Sequence, residues 1–204
     1  TRGNTRGIFW MKPFILRNFY HNILTWDELN TLLNLRPFLS SSRFQIIHAP
    51  KKGYRWDNQC WLTDISTFPP SLVKNIIKQH TCFIIDCSRV NKKINDMCKG
   101  IENITNMPTD AHIYFSLNKS NKSFDKHNDS SHNFILQVEG KTNFKVWDND
   151  IEVIDDILNK GDLIFIPKYM YHQANSKTKR MSISFAFAEN DLDKQDRNWL
   201  NILK

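Results

Sequence analysis

A chain of 204 residues with 40% hydrophobic and 12% aromatic residues, including 14 Phe and 6 Trp, can bury one substantial core and is read as a single domain. This composition excludes a disordered chain, and no apolar run approaches the roughly 18 residues of a membrane span, so a soluble protein with no membrane partner is expected. A net charge of +7 favours an acidic partner, but the lysines are scattered and no dense basic helix appears.

The leader "TRGNTRGIFW" (1–10) is basic and Gly-containing, and Met11 opens a segment that reads like a natural start; part of the leader reads as an added remnant. "PFILRNF" (13–19) is strand-like. In "TWDELNTLLNLRP", Thr25 and Glu28 have capping-box spacing, and Trp26, Leu29, Leu32 and Leu33 share one helical face until Pro37. Residues 40–68 are mixed, with an aromatic-rich loop or hairpin, "KKGYRWDNQCW", that could border a pocket mouth. "PPSLVKNIIKQH" starts a helix behind Pro70 with Leu72, Val73, Ile76 and Ile77 as its buried stripe. "CFIID" suits a strand and "RVNKKINDMCKGI" a third helix. Cys60, Cys82, Cys87 and Cys98 form no C-x-x-C pair and are too sparse for a disulfide scaffold. Reduced thiols in a cytoplasmic or other reducing intracellular compartment are therefore expected, and no signal peptide is visible.

From Ala111 onward the hydrophobic period changes from helical to alternating. "AHIYFSL", "HNFILQVEG", "TNFKVW", "IEVI", "DLIFIP" and "MSISFAF" read as short strands separated by turn residues. Such a series suggests a closed antiparallel barrel or jelly roll rather than βαβ units. The expected organisation is mainly β with α: a helical N-terminal part over 12–110, a barrel core over 111–188, and a tail or helix over 189–204.

"KHNDSSHNFILQVEG" (126–140) carries the chemistry. In an extended segment residues i and i+2 share a face, so His127 and Asp129 reach one point. An H-x-D pair alone is weak evidence of a metal site. "GDLIFIPKYMYHQAN" then sets a turn glycine, Gly161, before an apolar run ended by Pro167, with His172 five residues later.

In joint register the two segments resemble the two cupin motifs, H-x-H-x(3)-E-x(6)-G and G-x(5)-P-x-G-x(2)-H. His127, Asp129, Asn133 and Gly140 fall on the first, and Gly161, Pro167 and His172 on the second. Asp129 replaces the second histidine and Asn133 the glutamate. The remaining set of two histidines and a carboxylate is that of non-haem Fe(II) oxygenases, in which further coordination positions stay open. The run also resembles the Jumonji-C hydroxylases of the cupin-8 group, H-x-D-x(3)-N-F-x(2)-Q-x(2)-G, through His127, Asp129, Asn133, Phe134, Gln137 and Gly140, and "KPFILRNF" resembles that group's opening strand. The resemblance implies a double-stranded β-helix, His127, Asp129 and His172 as metal ligands, Fe(II) as cofactor and 2-oxoglutarate as cosubstrate. It further implies hydroxylation of a substrate C–H bond with release of succinate and CO2.

The far carboxylate of 2-oxoglutarate would need a cationic or multiply hydrogen-bonding partner, since an unpaired buried charge costs several kcal/mol. In the resembled group a Lys or Arg stands two residues after the motif glycine; here that position is Thr142. Alternation sets Thr142 and Phe144 on the ligand face with Asn133 and Gln137, and Lys141 and Lys145 away from it. Arg180 is the stronger candidate, grouped by alternation with Ser182, Ser184 and Ala186 while Met181, Ile183, Phe185 and Phe187 take the other face. Other branches of the 2-oxoglutarate oxygenases anchor the cosubstrate with an Arg on this strand, next to a Ser. Tyr114 adds a hydroxyl from a facing strand, and His112 is in phase with it as either a pocket or a core residue. His132 is expected at the surface, facing away from the ligands.

Three readings follow. The first is a hydroxylase acting on a protein or peptide side chain, a preference resting on the cupin-8 resemblance. The second is a metal-binding cupin, or degenerate oxygenase serving as a binding module, kept open by Thr142. The third is an RNA-modifying oxygenase, suggested only by the pI of about 9.2. A homodimer through helices outside the barrel, with "DKQDRNWLNILK" as one of them, is also open.

Overall fold

The computed structural model describes residues 12–34, 44–48, 61–64, 68–88, 91–121 and 123–188. The leader, Cys60, most of the aromatic-rich loop and the tail over 189–204 lie outside the described residues.

In the N-terminal part, strand β1 (Phe14–Leu16) is followed by helix α1 (Trp26–Asn34), strands β2 (Phe44–His48) and β3 (Trp61–Asp64), helix α2 (Pro70–Gln79), strand β4 (Thr81–Ile84) and helix α3 (Lys92–Thr105). The Thr25–Glu28 box forms as its spacing requires: the Thr25 amide donates to Glu28 Oε2 at 2.7 Å and the Glu28 amide to Thr25 Oγ1 at 3.2 Å. α2 begins with Pro70 in its first turn, where the missing amide proton would have had no helical partner. It buries Val73 and partly buries Ile76 and Ile77, but Leu72 turns outward and is exposed. α3 starts at Asn91, whose side chain accepts from the Lys93 amide at 2.7 Å, and buries Ile94, Cys98 and Ile101 at helical spacing.

Seven strands follow: β5 (Thr109–Ser116), β6 (His132–Glu139), β7 (Thr142–Asp148), β8 (Ile151–Leu158), β9 (Leu163–Ile166), β10 (Tyr171–Ser176) and β11 (Arg180–Phe187). They form a large sheet ordered β1-β9-β6-β11-β5-β4-β2-β3 and a small one ordered β10-β7-β8, with every pairing antiparallel. This is the jelly-roll arrangement expected. The N-terminal part is not simply helical, because β1 pairs with β9, and β4 carries β2 and β3 out from β5.

β11 divides the interior. Met181, Ile183, Phe185 and Phe187 enter the larger apolar cluster with Ile113, Phe115 and the buried faces of the helices. Arg180, Ser182, Ser184 and Ala186 point the other way, and the antiparallel register lays them in rows against Ser116, Tyr114, His112 and Asp110 on β5. β6 completes three of the rows, Asn133 opposite Ala186, Ile135 opposite Ser184 and Gln137 opposite Ser182. Ile135, Phe144, Val146, Ile164 and Ile166 fill the space between the sheets below these polar rows. Cys82, Cys87 and Cys98 are buried and form no disulfide among the described residues.

Two glycines make turns that other residues would strain. Gly140, between β6 and β7, has φ +72, and a Cβ there would run into the Lys179 carbonyl and lie 2.6 Å from Thr178 Oγ1. Gly161 has φ +93, and its Cβ position is taken by the His21 ring. The N-terminal edge is clasped by Arg17, which donates to the Ile157 carbonyl at 2.8 Å and to Asp162 Oδ2 at 2.7 Å and pairs with Asp156.

Candidate metal centre

His172 lies on β10 and is buried, at 4% exposure; His127 and Asp129 lie half-buried on the segment entering β6. A two-way backbone bridge joins the segments: the His127 amide donates to the His172 carbonyl at 3.1 Å, and the His172 amide to the His127 carbonyl at 2.7 Å. The Tyr169 amide adds a bond to the Asp129 carbonyl at 2.7 Å. Residues 45 apart in sequence thereby become neighbours, with the two imidazole centroids 4.3 Å apart.

His172 Nε2 lies 3.6 Å from Asp129 Oδ2, and His127 Nε2 lies 3.9 Å from Asp129 Oδ1. One ligand atom from each of the three falls within 4.8 Å of the others. Each imidazole is oriented by the carbonyl two residues before it, His127 Nδ1 at 2.7 Å from Asp125 O and His172 Nδ1 at 3.1 Å from Met170 O. With Nδ1–H donating to those carbonyls, the Nε2 lone pairs converge on the carboxylate, the tautomer a metal requires. Asp129 is held in turn: Asn133 Nδ2 donates to its Oδ2 at 2.9 Å and Ser184 Oγ donates to Asn133 Oδ1 at 2.9 Å. Burial and the neighbouring His127 push the His172 pKa down, keeping it neutral and ready to ligate. Two imidazoles and a carboxylate on one side, with open space on the other, fit a divalent first-row metal.

Beside the triad are two spaces. One is a cavity of about 320 Å³ bordered by Phe83, His112, Tyr114, Phe124, Asp125 and Asp129. The other, about 40 Å³, runs between the sheets from the ligands to Arg180, past Phe124, Ile135, Phe144 and Ser182. Arg180 is 1% exposed and meets only hydroxyls: Nε donates to Ser176 Oγ at 2.9 Å, Nη1 to Ser182 Oγ at 2.7 Å, and Nη2 to Ser123 Oγ at 3.4 Å. No carboxylate pairs with it among the described residues. Burial pushes its pKa down to about 10, so it remains a cation at neutral pH. Tyr114, stacked on Phe83 with centroids 4.6 Å apart, borders both spaces, and burial together with Asp129 raises its pKa.

The structure brings Tyr114, Asn133, Arg180 and Ser182 to the walls of these spaces with the three ligands. Thr142 is fully buried, its hydroxyl has no partner, and it lies away from both linings, deeper along β7 opposite Ser176. His112 is half-buried, its Nδ1 makes no hydrogen bond and lies 3.9 Å from Asp110 Oδ2, and burial lowers its pKa. His132 does face away from the ligands, but it is buried, not at the surface. Its ring stacks on Phe165 and Phe187 at 5.9 and 5.3 Å, and its Nδ1 accepts from the Lys168 amide. Sequence reasoning missed Ser123 and Ser176, two of Arg180's three partners. Ser176 ends β10, whose sequence "YHQANS" has too little apolar alternation to read as a strand.

The two-sheet barrel and its three convergent side chains define a cupin-type double-stranded β-helix carrying a two-histidine, one-carboxylate cluster that could hold a metal. A family model described as the JmjC domain matches residues 143–194. A curated relative, the bifunctional lysine-specific demethylase and histidyl-hydroxylase NO66 of Drosophila grimshawi, is 23% identical over 187 residues, covering 82% of this chain and 25% of NO66. Among solved structures, the ribosomal oxygenase YcfD of Escherichia coli superimposes with a TM-score of 0.69 at 14% identity, over 93% of this chain and 51% of YcfD. YcfD in complex with cobalt and 2-oxoglutarate gives 0.67 at 15% identity, over 94% and 52%. The chain is therefore similar to JmjC-type domains over part of its length and shares the fold of these oxygenases. It spans about a quarter of the length of NO66 and half that of YcfD. No helix among the described residues is long and apolar enough to cross a membrane.

Proposed function

We propose that this chain is the catalytic domain of an Fe(II)- and 2-oxoglutarate-dependent oxygenase that hydroxylates a C–H bond of a protein side chain. The observation that carries the reading is Arg180: a buried guanidinium surrounded by neutral hydroxyls, at the far end of a slot that begins at the triad. A cation in that position is costly without a counter-ion and well matched to the distal carboxylate of a dicarboxylate chelating a metal at the near end.

His127, Asp129 and His172, which border the two spaces, would hold Fe(II). Fe(II), when bound, supplies oxygen activation with 2-oxoglutarate as the two-electron reductant, so that R–H, O2 and 2-oxoglutarate give R–OH, succinate and CO2. Arg180, steadied by Ser176 and Ser182, binds and orients the cosubstrate. Phe124, Ile135 and Phe144 exclude water from the slot, strengthening that charge pair. Asn133 and Ser184 fix the Asp129 carboxylate. The wider cavity beside Asp129 admits the target side chain, and a protein target is favoured by the relatives, one named a histidyl-hydroxylase and the other a ribosomal oxygenase.

The test is succinate release matched by one added oxygen per turnover on a peptide substrate. A metal-binding cupin without turnover is the second reading, favoured by Thr142, whose hydroxyl stands where a cosubstrate cation was expected and makes no bond. Absence of 2-oxoglutarate binding to the iron-loaded protein would select it. Retention of RNA in a salt-dependent manner, with turnover on it, would select an RNA-modifying enzyme.

A further inference from the structure

Lys126 directly precedes the first ligand, and its ammonium is not ion-paired among the described residues. It sits instead 4.6 Å from the Trp147 ring centroid and 5.4 Å from that of Tyr171. Those two rings are direct cross-strand partners at one end of the β7–β10 pair, next to His172. Exposed carboxylates stand close by in sequence, Asp125 before Lys126, Asp148 at the end of β7 directly after Trp147, and Asp150 in the turn that follows. The adjoining cavity of about 320 Å³ is bordered by Asp125 and Asp129 and by no Lys or Arg. A chain of net charge +7 therefore presents, at its metal end, an aromatic pair with acidic surroundings, occupied by its own lysine.

An aromatic pair of this kind attracts a cation of any origin, and the attraction grows when water is displaced. Lys126 is exposed, so its ammonium can leave the rings for water at small cost. We propose that the Trp147–Tyr171 pair is a docking site for a Lys or Arg side chain flanking the target residue in a basic peptide, and that Lys126 is the resident cation it displaces. The inference rests on the reading of the substrate as a protein. The partner's chemistry follows from the rings, which already hold one ammonium, and from Asp125 and Asp129 on the cavity wall, which repel a polyanion and suit a cationic side chain.

The probe is fluorescein-labelled hexa-arginine, with hexaglutamate and single-stranded RNA as controls. Binding to the full chain is read by anisotropy at about 0.15 M salt without 2-oxoglutarate. Lys126→Gln should tighten hexa-arginine about three- to ten-fold, since the internal competitor is gone. Trp147→Ala or Tyr171→Ala should weaken it about five-fold or more, and Tyr171→Phe, which keeps the ring and the packing, should leave it near the starting value. Failure of hexa-arginine to bind, weaker binding by Lys126→Gln, or an RNA or hexaglutamate complex lost in that variant would overturn the proposal. Because no turnover is measured, failure here leaves the oxygenase reading intact, and failure of 2-oxoglutarate binding leaves this result standing.

Discussion

Asn133 grips Asp129: its Nδ2 donates to Asp129 Oδ2 at 2.9 Å while its own Oδ1 accepts from Ser184. The amide occupies the position of a metal-binding glutamate in the cupin pattern, yet here it orients a ligand. Asn133→Ala should lower cobalt affinity about 10- to 100-fold, the usual cost of losing an outer partner of a ligand. The melting temperature of the metal-free protein should change little by comparison. Titration with Co(II), followed by its visible absorption, checks this.

Arg180→Met removes the guanidinium while keeping much of its volume. Charge-assisted bonds to a carboxylate are worth about 1.5–3 kcal/mol, so the KM for 2-oxoglutarate should rise about 10- to 150-fold. The metal-free variant should be no less stable than the parent, since an uncompensated buried cation has been replaced by an apolar chain. Thr142→Val, away from the slot, should leave KM unchanged. Initial rates of succinate formation over a cosubstrate range decide both.

The metal-free protein should lose stability as pH falls. Burial lowers the pKa of both His112 and His172 in the folded state, with His127 adding to the effect on His172. Near and above the ordinary histidine value of about 6.5, both states are neutral and nothing is lost. Below it the unfolded chain takes up protons that the native chain refuses, until the depressed native values are reached, so the unfolded state gains. Thermal melts between about pH 7.5 and 5 should show the decline, and His112→Gln should flatten it.

Two left-handed positions should respond in opposite directions. At Gly140 an added Cβ meets the rigid Lys179 carbonyl, so Gly140→Ala should cost about 2 kcal/mol or more and lower the melting temperature by about 4–8 °C. Tyr169 holds φ +65 with an exposed ring, at the position of a glycine in the second cupin motif. Tyr169→Gly should relieve about 1 kcal/mol and raise the melting temperature by about 2–4 °C.

The alternation of Arg180-Met-Ser-Ile-Ser-Phe-Ala-Phe was legible because period two has only two faces, and the small polar residues could not share the apolar one. The convergence of His127, Asp129 and His172 was legible because both motifs carry fixed spacings. β10 was not, since a strand that borders solvent and a polar slot has no apolar stripe to announce it. His132 was misjudged for a related reason: alternation gives which side a residue faces, not whether aromatic rings already occupy that side. In the N-terminal part β1 and β4 were legible from "PFILRNF" and "CFIID", whereas β2 and β3 were obscured by pairing at a distance, as β2 finds its partner in β4 across 33 or more residues of sequence.

His172 hangs on the small sheet, whereas His127 and Asp129 lead into the large one. A cation gripped from both sides would act as a rivet across the seam between them, making occupancy and the cohesion of the barrel a single quantity. Stripping it with a chelator should then be felt as faster amide exchange along β10 and β7, well before any strand unravels.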